Sequence, residues 1–272
     1  MKKVAGVLAL LVAANGLAAD TLITPTITGN QLTARIELGA LAADLSITFE
    51  QVVGLNVSAL QVSAGAVSIS DPTILSRLPG SLVSIPAGFP VLVRIEPSAS
   101  SALSFAGVYK LGLHTHNLTF TANSPLRLYR SHAGGPFVDM TGSLEMGSVR
   151  AGGSGPGFSE FLIVADVRPT DSVIAQKLQT LETALASNQA AISAEAYTEL
   201  AGRLQSIRTQ ITTGAIGPAI DACAAFGEEV KKRSGSAIPD VWQAHGTVVN
   251  VAGILRSAAD TLRFSLVVKS NG

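Results

Sequence analysis

The stretch "VRPTDSVIAQKL", residues 167–178, separates two parts of the chain that differ in hydrophobic periodicity. Before it, apolar residues recur at every second position, the period of a strand with one buried face. After it, they recur at every third or fourth position, as on one face of an amphipathic helix. Thr170 or Asp171 can cap the first turn of that helix. The sequence therefore predicts an α+β protein in which a β domain precedes a helical domain.

The predicted β domain, residues 20–168, contains short segments of alternating polarity. The clearest are QLTARIEL (31–38), DLSITFE (44–50) and FPVLVRIEP (89–97). Glycine, proline, asparagine and aspartate separate these segments, as expected of turns. Seven or more short strands, with no helix-length pattern among them, predict an antiparallel β-sandwich of the immunoglobulin-like type.

The predicted helical domain, residues 169–272, contains four apolar stripes at helical spacing. They are Ile174, Leu178, Leu181 and Leu185; Tyr197, Leu200, Leu204, Ile207 and Ile211; Ala219, Cys223, Phe226 and Val230; and Val241, His245, Val248, Ala252, Leu255, Ala259 and Leu262. Ser193 is a predicted N-cap, and Gly214 and Gly235 are predicted stops. Short connections between the stripes predict an antiparallel four-helix bundle.

The C-terminal segment "RFSLVVK", residues 263–269, is ambiguous at the level of sequence. It fits a final strand that returns to the sandwich, or the frayed end of the fourth helix. Because Phe264 and Leu266 share strand parity, the strand is the favoured prediction.

The first 19 residues have the pattern of a bacterial signal peptide. Lys2 and Lys3 precede an apolar run, and small residues follow it, with predicted cleavage after Ala18 or Ala19. The apolar run is shorter than the roughly 20 residues that span a bilayer. We therefore predict a secreted or periplasmic protein with no transmembrane segment after cleavage.

The composition of the chain argues against several classes of function. Without Lys2 and Lys3, 17 basic residues face 19 acidic residues, so no charge excess favours nucleic acid or anionic lipid. Aromatic residues make up 5% of the chain, which disfavours stacking platforms for glycans or single strands. The single cysteine, Cys223, cannot form an internal disulfide. No cofactor is predicted.

His114 and His116, in "LGLHTHNLTF", are the best candidates for metal ligands. Two positions apart on a strand, they share one face. A metal site also needs a third ligand, for which His132, Asp139 and Glu145 are candidates only through proximity in the fold. A surface or hydrogen-bonded histidine pair is the preferred interpretation, so no metal site is predicted.

No catalytic residue is predicted from any motif. His245 is interpreted as a core or boundary histidine of the fourth helix, and Cys223 as a small buried hydrophobe. Ser154, in "RAGGSGPGFSEF", lacks the frame of a nucleophile elbow. Glu145, Glu160 and Asp166 are carboxylates that could act as acid and base, but their separation decides that chemistry.

The helical half resembles a small helical module found in multiple bacterial adhesins and other secreted surface proteins. The likeness rests on three elements: Leu204, Ile207 and Ile211 before Gly214; "AIDACAAF" (219–226) with Val230 and Ser234-Gly235; and "AGILRSAADTL" (252–262). The whole chain is also similar to a group of uncharacterised exported bacterial proteins with this β-then-helical layout. The resemblance implies a non-catalytic role at the cell surface or in the envelope.

The predicted function is thus an exported, non-enzymatic, adhesin-like interaction protein with a protein or cell-surface partner. In this prediction the sandwich binds the partner, and the helices act as a spacer or docking module. One alternative is an exported hydrolase that uses carboxylates at the rim of the sandwich. Another is a periplasmic ligand-binding protein, which would require a cavity between the two domains.

Overall fold

The computed structural model describes residues 21–23, 25–121, 124–145, 147–246 and 249–272, so the predicted signal peptide, residues 1–19, lies outside the described residues. The described part contains two antiparallel sheets and six α-helices, which confirms the α+β class. The strands are β1 (Thr21–Leu22), β2 (Thr26–Thr28), β3 (Gln31–Leu38), β4 (Leu41–Val53), β5 (Val62–Ala66), β6 (Val83–Ser84), β7 (Val91–Ile95), β8 (Ser104–Phe120), β9 (Leu126–Ser131), β10 (Phe137–Asp139), β11 (Ser143–Glu145), β12 (Gly147–Gly155), β13 (Glu160–Asp166) and β14 (Val241–Gln243). The helices are α1 (Val57–Leu60), α2 (Pro72–Leu75), α3 (Thr170–Ser187), α4 (Ala194–Thr212), α5 (Ile216–Arg233) and α6 (Val251–Asn271).

The strands form two sheets, which we call sheet 1 and sheet 2. Sheet 1 has the order β1-β5-β7-β13-β9-β10, with β6 beside β13. Sheet 2 has the order β11-β12-β8-β4-β3-β2, with β14 beside β8. The long strand β8 lies at the centre of sheet 2, where it pairs with β4, β12 and β14.

The inner faces of the two sheets share one apolar core. Leu32, Ile36 and Ile47 of sheet 2 belong to the same buried cluster as Val93 and Phe161 of sheet 1. In β3 every second side chain is buried, as the alternation of QLTARIEL predicts. Burial of these faces is the main source of stability of the β region.

Helices α3 to α6 surround a second apolar core. The pairs α3–α4, α4–α5, α5–α6 and α3–α6 are in contact, and Leu181, Leu200, Phe226 and Leu262 are among the buried residues. As predicted, Ser193 caps α4, since its Oγ accepts the N–H of Ala196 at 3.3 Å.

One strand of sheet 2 comes from the part of the chain that was predicted to be helical. Residues 241–243 form β14 rather than the first turn of the fourth helix, and Val241 pairs with Ala106 of β8. Trp242 stacks on Phe105 with ring centroids 5.3 Å apart and also contacts Phe158. Packing of this indole against the aromatic residues between the sheets outweighs the local helical spacing, so the predicted start of the fourth helix is wrong.

The fourth long helix, α6, begins at Val251 and continues to Asn271. Asn250 caps it by accepting the N–H of Gly253 at 2.7 Å. Residues 263–269 are therefore helical, and the predicted final strand is wrong. Leu262 and Leu266 are both buried and four positions apart, and this helical spacing prevails over the two-residue spacing of Phe264 and Leu266.

Helix α6 packs directly on sheet 2, where it contacts β8 and β12. Arg256 forms two 2.6 Å hydrogen bonds with the carboxylate of Glu50 on β4. Ser154 on β12 donates to Asp260 Oδ2 at 2.8 Å. The helices therefore cover part of the β region.

Candidate ligand site between the helices and the sheets

A cavity of about 180 Å³ lies where α3 and α6 meet the sheets. Phe137, Met140, Ile254 and Ala258 provide apolar walls. The polar lining includes Tyr129, Arg130, Asp139, Arg168 and Lys177. Among the residues at its border, Val138 is 49% exposed, and Gln176 and Thr180 of α3 are also exposed. The cavity thus combines an apolar interior with a group of converging charged side chains.

Lys177 is the central cation of this group. Its Nζ lies 2.6 Å from Asp139 Oδ2, and the side chains are only 8% and 4% exposed, respectively. Nζ also donates to the Thr261 carbonyl at 3.0 Å and to Ser265 Oγ at 2.9 Å. Burial lowers the pKa of Lys177, whereas the charge of Asp139 opposes that change. Lys177 therefore connects α3, α6 and β10 through one buried ammonium group.

Tyr129, Asp166 and Arg168 form a second buried group beside the cavity. The Tyr129 hydroxyl donates to Asp166 Oδ2 at 2.7 Å, and Arg168 Nη2 donates to the Tyr129 oxygen at 2.8 Å. Arg168 Nε also donates to Asp166 Oδ1 at 2.9 Å. Burial alone would raise the pKa of Asp166, but the hydrogen bonds from Arg168 and Tyr129 outweigh it and lower that pKa. Burial raises the pKa of Tyr129.

These contacts suit binding better than covalent chemistry. Lys177 Nζ donates hydrogen bonds to the Thr261 carbonyl and Ser265 Oγ, and it forms an ion pair with Asp139. A nucleophilic lysine must instead present a free, unprotonated amine. Lys177 therefore contributes fixed positive charge and position.

The charge of the site favours an anionic ligand. Arg130, Arg168 and Lys177 line the cavity. Asp139 is the carboxylate that lines the cavity with them, while Asp166 and Asp260 lie behind the lining, bonded to Arg168 and Ser154. Among the lining residues, three cations therefore face one carboxylate, and the low local dielectric strengthens the effect of this positive charge.

Sequence reasoning missed Lys177, although the sequence holds a signal for it. Lys177 lies three positions after Ile174 and four before Leu181, so it falls on the buried face of α3. A charged residue on an apolar stripe needs a buried partner. The partner, Asp139, was considered only as a metal ligand, and its strand is far from α3 in sequence.

His114 and His116 do lie together on β8, with ring centroids 4.6 Å apart. The candidate third ligands have other partners: His132 Nδ1 is 3.0 Å from Ser159 Oγ, Asp139 pairs with Lys177, and Glu145 pairs with Arg150 at 3.4 Å. Among the described residues, no group of three or more His, Cys, Asp or Glu side chains could hold a metal ion.

His114 instead joins a hydroxyl and a carboxylate on the outer face of sheet 2. Its Nε2 is 2.5 Å from Ser148 Oγ on β12, and its Nδ1 is 3.6 Å from Asp44 Oδ2 on β4. This group lies beside an open groove of about 700 Å³, whose lining includes His114 and Asp44. Arg35 and Arg150 also line the groove.

The remaining candidate residues are not assembled into one site. Glu160 pairs with Arg77 and Arg94, and Ser154 bonds to Asp260. Cys223 is buried, and burial raises the pKa of its thiol to about 12, consistent with a small hydrophobe.

The interpretation of His245 as a core or boundary histidine is wrong. His245 is exposed in a turn after β14, because the fourth helix starts later in the chain than predicted.

The fold and the cavity define an α+β protein with two antiparallel sheets and a polar site between the sheets and the helices. The chain belongs to a family described as "Family of unknown function (DUF6689)", whose sequence pattern matches residues 6–269. No curated protein and no solved structure matches it. Within the described ranges, none of the helices is both long and apolar enough to cross a membrane.

Proposed function

We propose that this protein is an exported binding protein that holds a small anionic molecule with an apolar body in the cavity between the helices and the sheets. The observation that carries the proposal is the cavity itself, in which apolar walls meet a buried, positively charged polar group. Pockets with this combination, and with titratable groups of shifted pKa, are the usual place for ligand binding.

The volume of the cavity sets the size of the ligand. At about 180 Å³ it is smaller than the roughly 300–1,000 Å³ of sites for drug-sized molecules. A ligand of about ten non-hydrogen atoms matches this volume. An aromatic or branched aliphatic body would contact Phe137, Met140 and Ile254, while an acidic group would face the cations.

The wider proposal keeps the cellular role that the sequence predicts. Residues 1–19 would direct export, and the protein would act without catalysis in the cavity, as an envelope or extracellular interaction protein with an adhesin-like helical part. The shared core of the two sheets supports an immunoglobulin-like sandwich, and the ring of contacts among α3, α4, α5 and α6 supports a four-helix bundle. The cavity is the feature that the ligand-binding alternative requires.

The proposal can be tested with phenylacetate, which has ten non-hydrogen atoms and one carboxylate. The protein without residues 1–19 contains two methionines, Met140 and Met146, of which Met140 lines the cavity. With ¹³C-methyl methionine, NMR should show a saturable shift of the Met140 methyl group. We expect a dissociation constant on the order of 1 mM, because ten atoms at about 0.4 kcal/mol each supply about 4 kcal/mol. The neutral isostere phenylacetamide should bind more weakly.

A pair of matched variants distinguishes the cavity from the surface. Ala258→Leu fills the cavity and should abolish the shift, whereas Ala225→Leu lies on the exposed side of α5 and should not change it. No saturable shift with either probe would contradict the proposal. Equal binding by the Ala258→Leu protein would also contradict it, since the probe would then lie elsewhere.

A further inference from the structure

Ser148, His114 and Asp44 come together on three neighbouring strands of sheet 2. His114 on β8 is paired in register with Asp44 on β4 and with Arg150 on β12. The pairing register of β12 with β8 shifts between Ser148 and Val149. Ser148 is therefore out of register with the residues that follow it on β12. The irregularity lets the Ser148 hydroxyl reach the imidazole of His114.

The two ring nitrogens of His114 face chemically different partners. Nε2 is 2.5 Å from Ser148 Oγ, and Nδ1 is 3.6 Å from Asp44 Oδ2. A hydroxyl within hydrogen-bond reach of one nitrogen is the arrangement in which imidazole takes a proton from a nucleophile. The Asp44 carboxylate, at 3.6 Å, acts on the other nitrogen through its charge. The pair is found by geometry, because no sequence motif surrounds Ser148.

The surroundings of His114 favour the neutral ring that a base requires. Partial burial lowers the pKa of His114, and the charges of Arg150, His116 and Arg35 lower it further, while Asp44 opposes them. The imidazole is therefore mostly unprotonated at pH 7 and can accept the proton of a hydroxyl.

The groove beside this group is open to a substrate. Gly112 and Gly152 line it, and without side chains they leave space above the sheet. A Cβ at Gly152 would come within 2.8 Å of Ser143 Oγ. Arg35 donates to Asp44 at 3.0 Å, so two arginines, Arg35 and Arg150, border the groove near His114. Both arginines are paired with carboxylates that also line the groove, Arg35 with Asp44 and Arg150 with Glu145, so the groove has no net charge and suits an uncharged ester.

We propose that Ser148 is a nucleophile that can be acylated, with His114 as its base and Asp44 as a positioning residue, and that the adjacent groove takes small uncharged esters. This inference concerns an activity on a different face from the proposed ligand cavity, and it does not depend on that cavity. It names a Ser–His pair where the hydrolase predicted as an alternative would use carboxylates.

The chemical step is an acyl transfer that ends in hydrolysis. Ser148 Oγ forms a bond to the ester carbonyl carbon as its proton moves to His114 Nε2. The carbon–oxygen bond to the alcohol then breaks, and the alcohol leaves with that proton. Water, activated by His114 in the same way, attacks the acyl-serine, releases the acid and restores the hydroxyl of Ser148.

A fluorophosphonate probe tests the nucleophile directly. Ser148 Oγ should displace fluoride, forming a P–O bond as the P–F bond breaks, and intact mass spectrometry should show one adduct per chain. Ser148→Ala and His114→Gln should slow labelling by about 100-fold or more. Ser143→Ala, which changes a serine that lines the adjacent groove, should label at the normal rate.

The role of Asp44 has a separate readout. Asp44→Asn removes the charge that raises the pKa of His114, so the midpoint of the labelling rate against pH should move to lower pH. A Ser148→Ala protein that is labelled as fast as the wild type would overturn the inference. So would a wild-type protein, folded by circular dichroism, that shows no adduct and no release of nitrophenol from 4-nitrophenyl acetate.

Discussion

Two groups of charged residues in this protein contain similar ion pairs in different surroundings. At the cavity, the side chains of Lys177 and Asp139 are 8% and 4% exposed, whereas on the outer face of sheet 2 those of Arg150 and Glu145 are 57% and 62% exposed. Water screens the surface pair and competes for its hydrogen bonds, so the net contribution of this pair to the free energy of unfolding is small. The buried pair cannot exchange its partner for water, so each member depends on the other.

The comparison teaches that burial determines what each region can do. The cavity region joins the helices to the sheets and presents fixed charge to a small ligand. The outer face of sheet 2 contributes less to stability, and its side chains remain available to molecules from solution. We expect substitutions at the cavity to change folding first and substitutions at the face to change reactivity first.

The largest effect should follow from breaking the buried pair. Asp139→Leu leaves the ammonium group of Lys177 buried without its counter-charge and should lower the free energy of unfolding by about 3–5 kcal/mol. Urea denaturation followed by circular dichroism measures the change. The double variant Asp139→Leu with Lys177→Met should recover most of the loss, because no charge is then left buried. If the double variant is as unstable as the single one, the ion pair is not the cause.

A smaller effect with a characteristic pH dependence should follow from Asp166→Asn. This change weakens the hydrogen bonds from Arg168 and Tyr129 and should lower the free energy of unfolding by about 1–3 kcal/mol at pH 7. Because folding lowers the pKa of Asp166 from its ordinary value of 3.8, the stability it contributes is present above that value. That contribution disappears as the pH falls through the folded pKa.

Urea midpoints of the wild type and the Asp166→Asn variant, measured from pH 7 to pH 3, test this pH dependence. The difference between them should shrink at the acidic end. A difference of the same size at pH 7 and pH 3 would contradict the role of the carboxylate charge. Asp171→Asn, at a side chain that is 76% exposed, is the control and should change stability little at pH 7.

The smallest effect should follow from removing the exposed pair on sheet 2. Glu145→Ala should change the free energy of unfolding by about 0.5 kcal/mol or less, since both side chains are more than half exposed. The same urea titration measures it. A loss above about 2 kcal/mol would show that the face contributes to folding as the buried region does, and would remove the contrast between the two regions.

Much of the fold could be predicted because local sequence and final structure agree there. The alternation of QLTARIEL gives β3 its buried and exposed faces, and the glycine at Gly214, with a φ of +75°, ends α4 as a helix stop should. The α+β class follows from the two-residue spacing of apolar residues in the first part of the chain and their three- to four-residue spacing in the second part. The strand β14 could not be predicted in the same way, because three residues carry little local signal and Trp242 is fixed by contacts with Phe105 and Phe158.

The candidate sites were less predictable, because each depends on residues that are distant in sequence. His114 and His116 were recognised as a pair, but the partners of His114, Asp44 and Ser148, are on other strands. Lys177 and Asp139 meet only when α3 packs against β10. A charged residue on an apolar helix face signals that a partner exists, but tertiary structure decides which residue it is.

The position of β14 also has a consequence for how the protein is made. The middle of sheet 2 acquires β14 only after α3, α4 and α5 have been synthesised, since Val241 pairs with Ala106. Until then the edge of β8 and the ring of Phe105 lack their partner, and a nascent chain would expose both to aggregation. Pairing over so long a separation in sequence slows folding, so maturation of the β region should wait for the C-terminal third of the polypeptide.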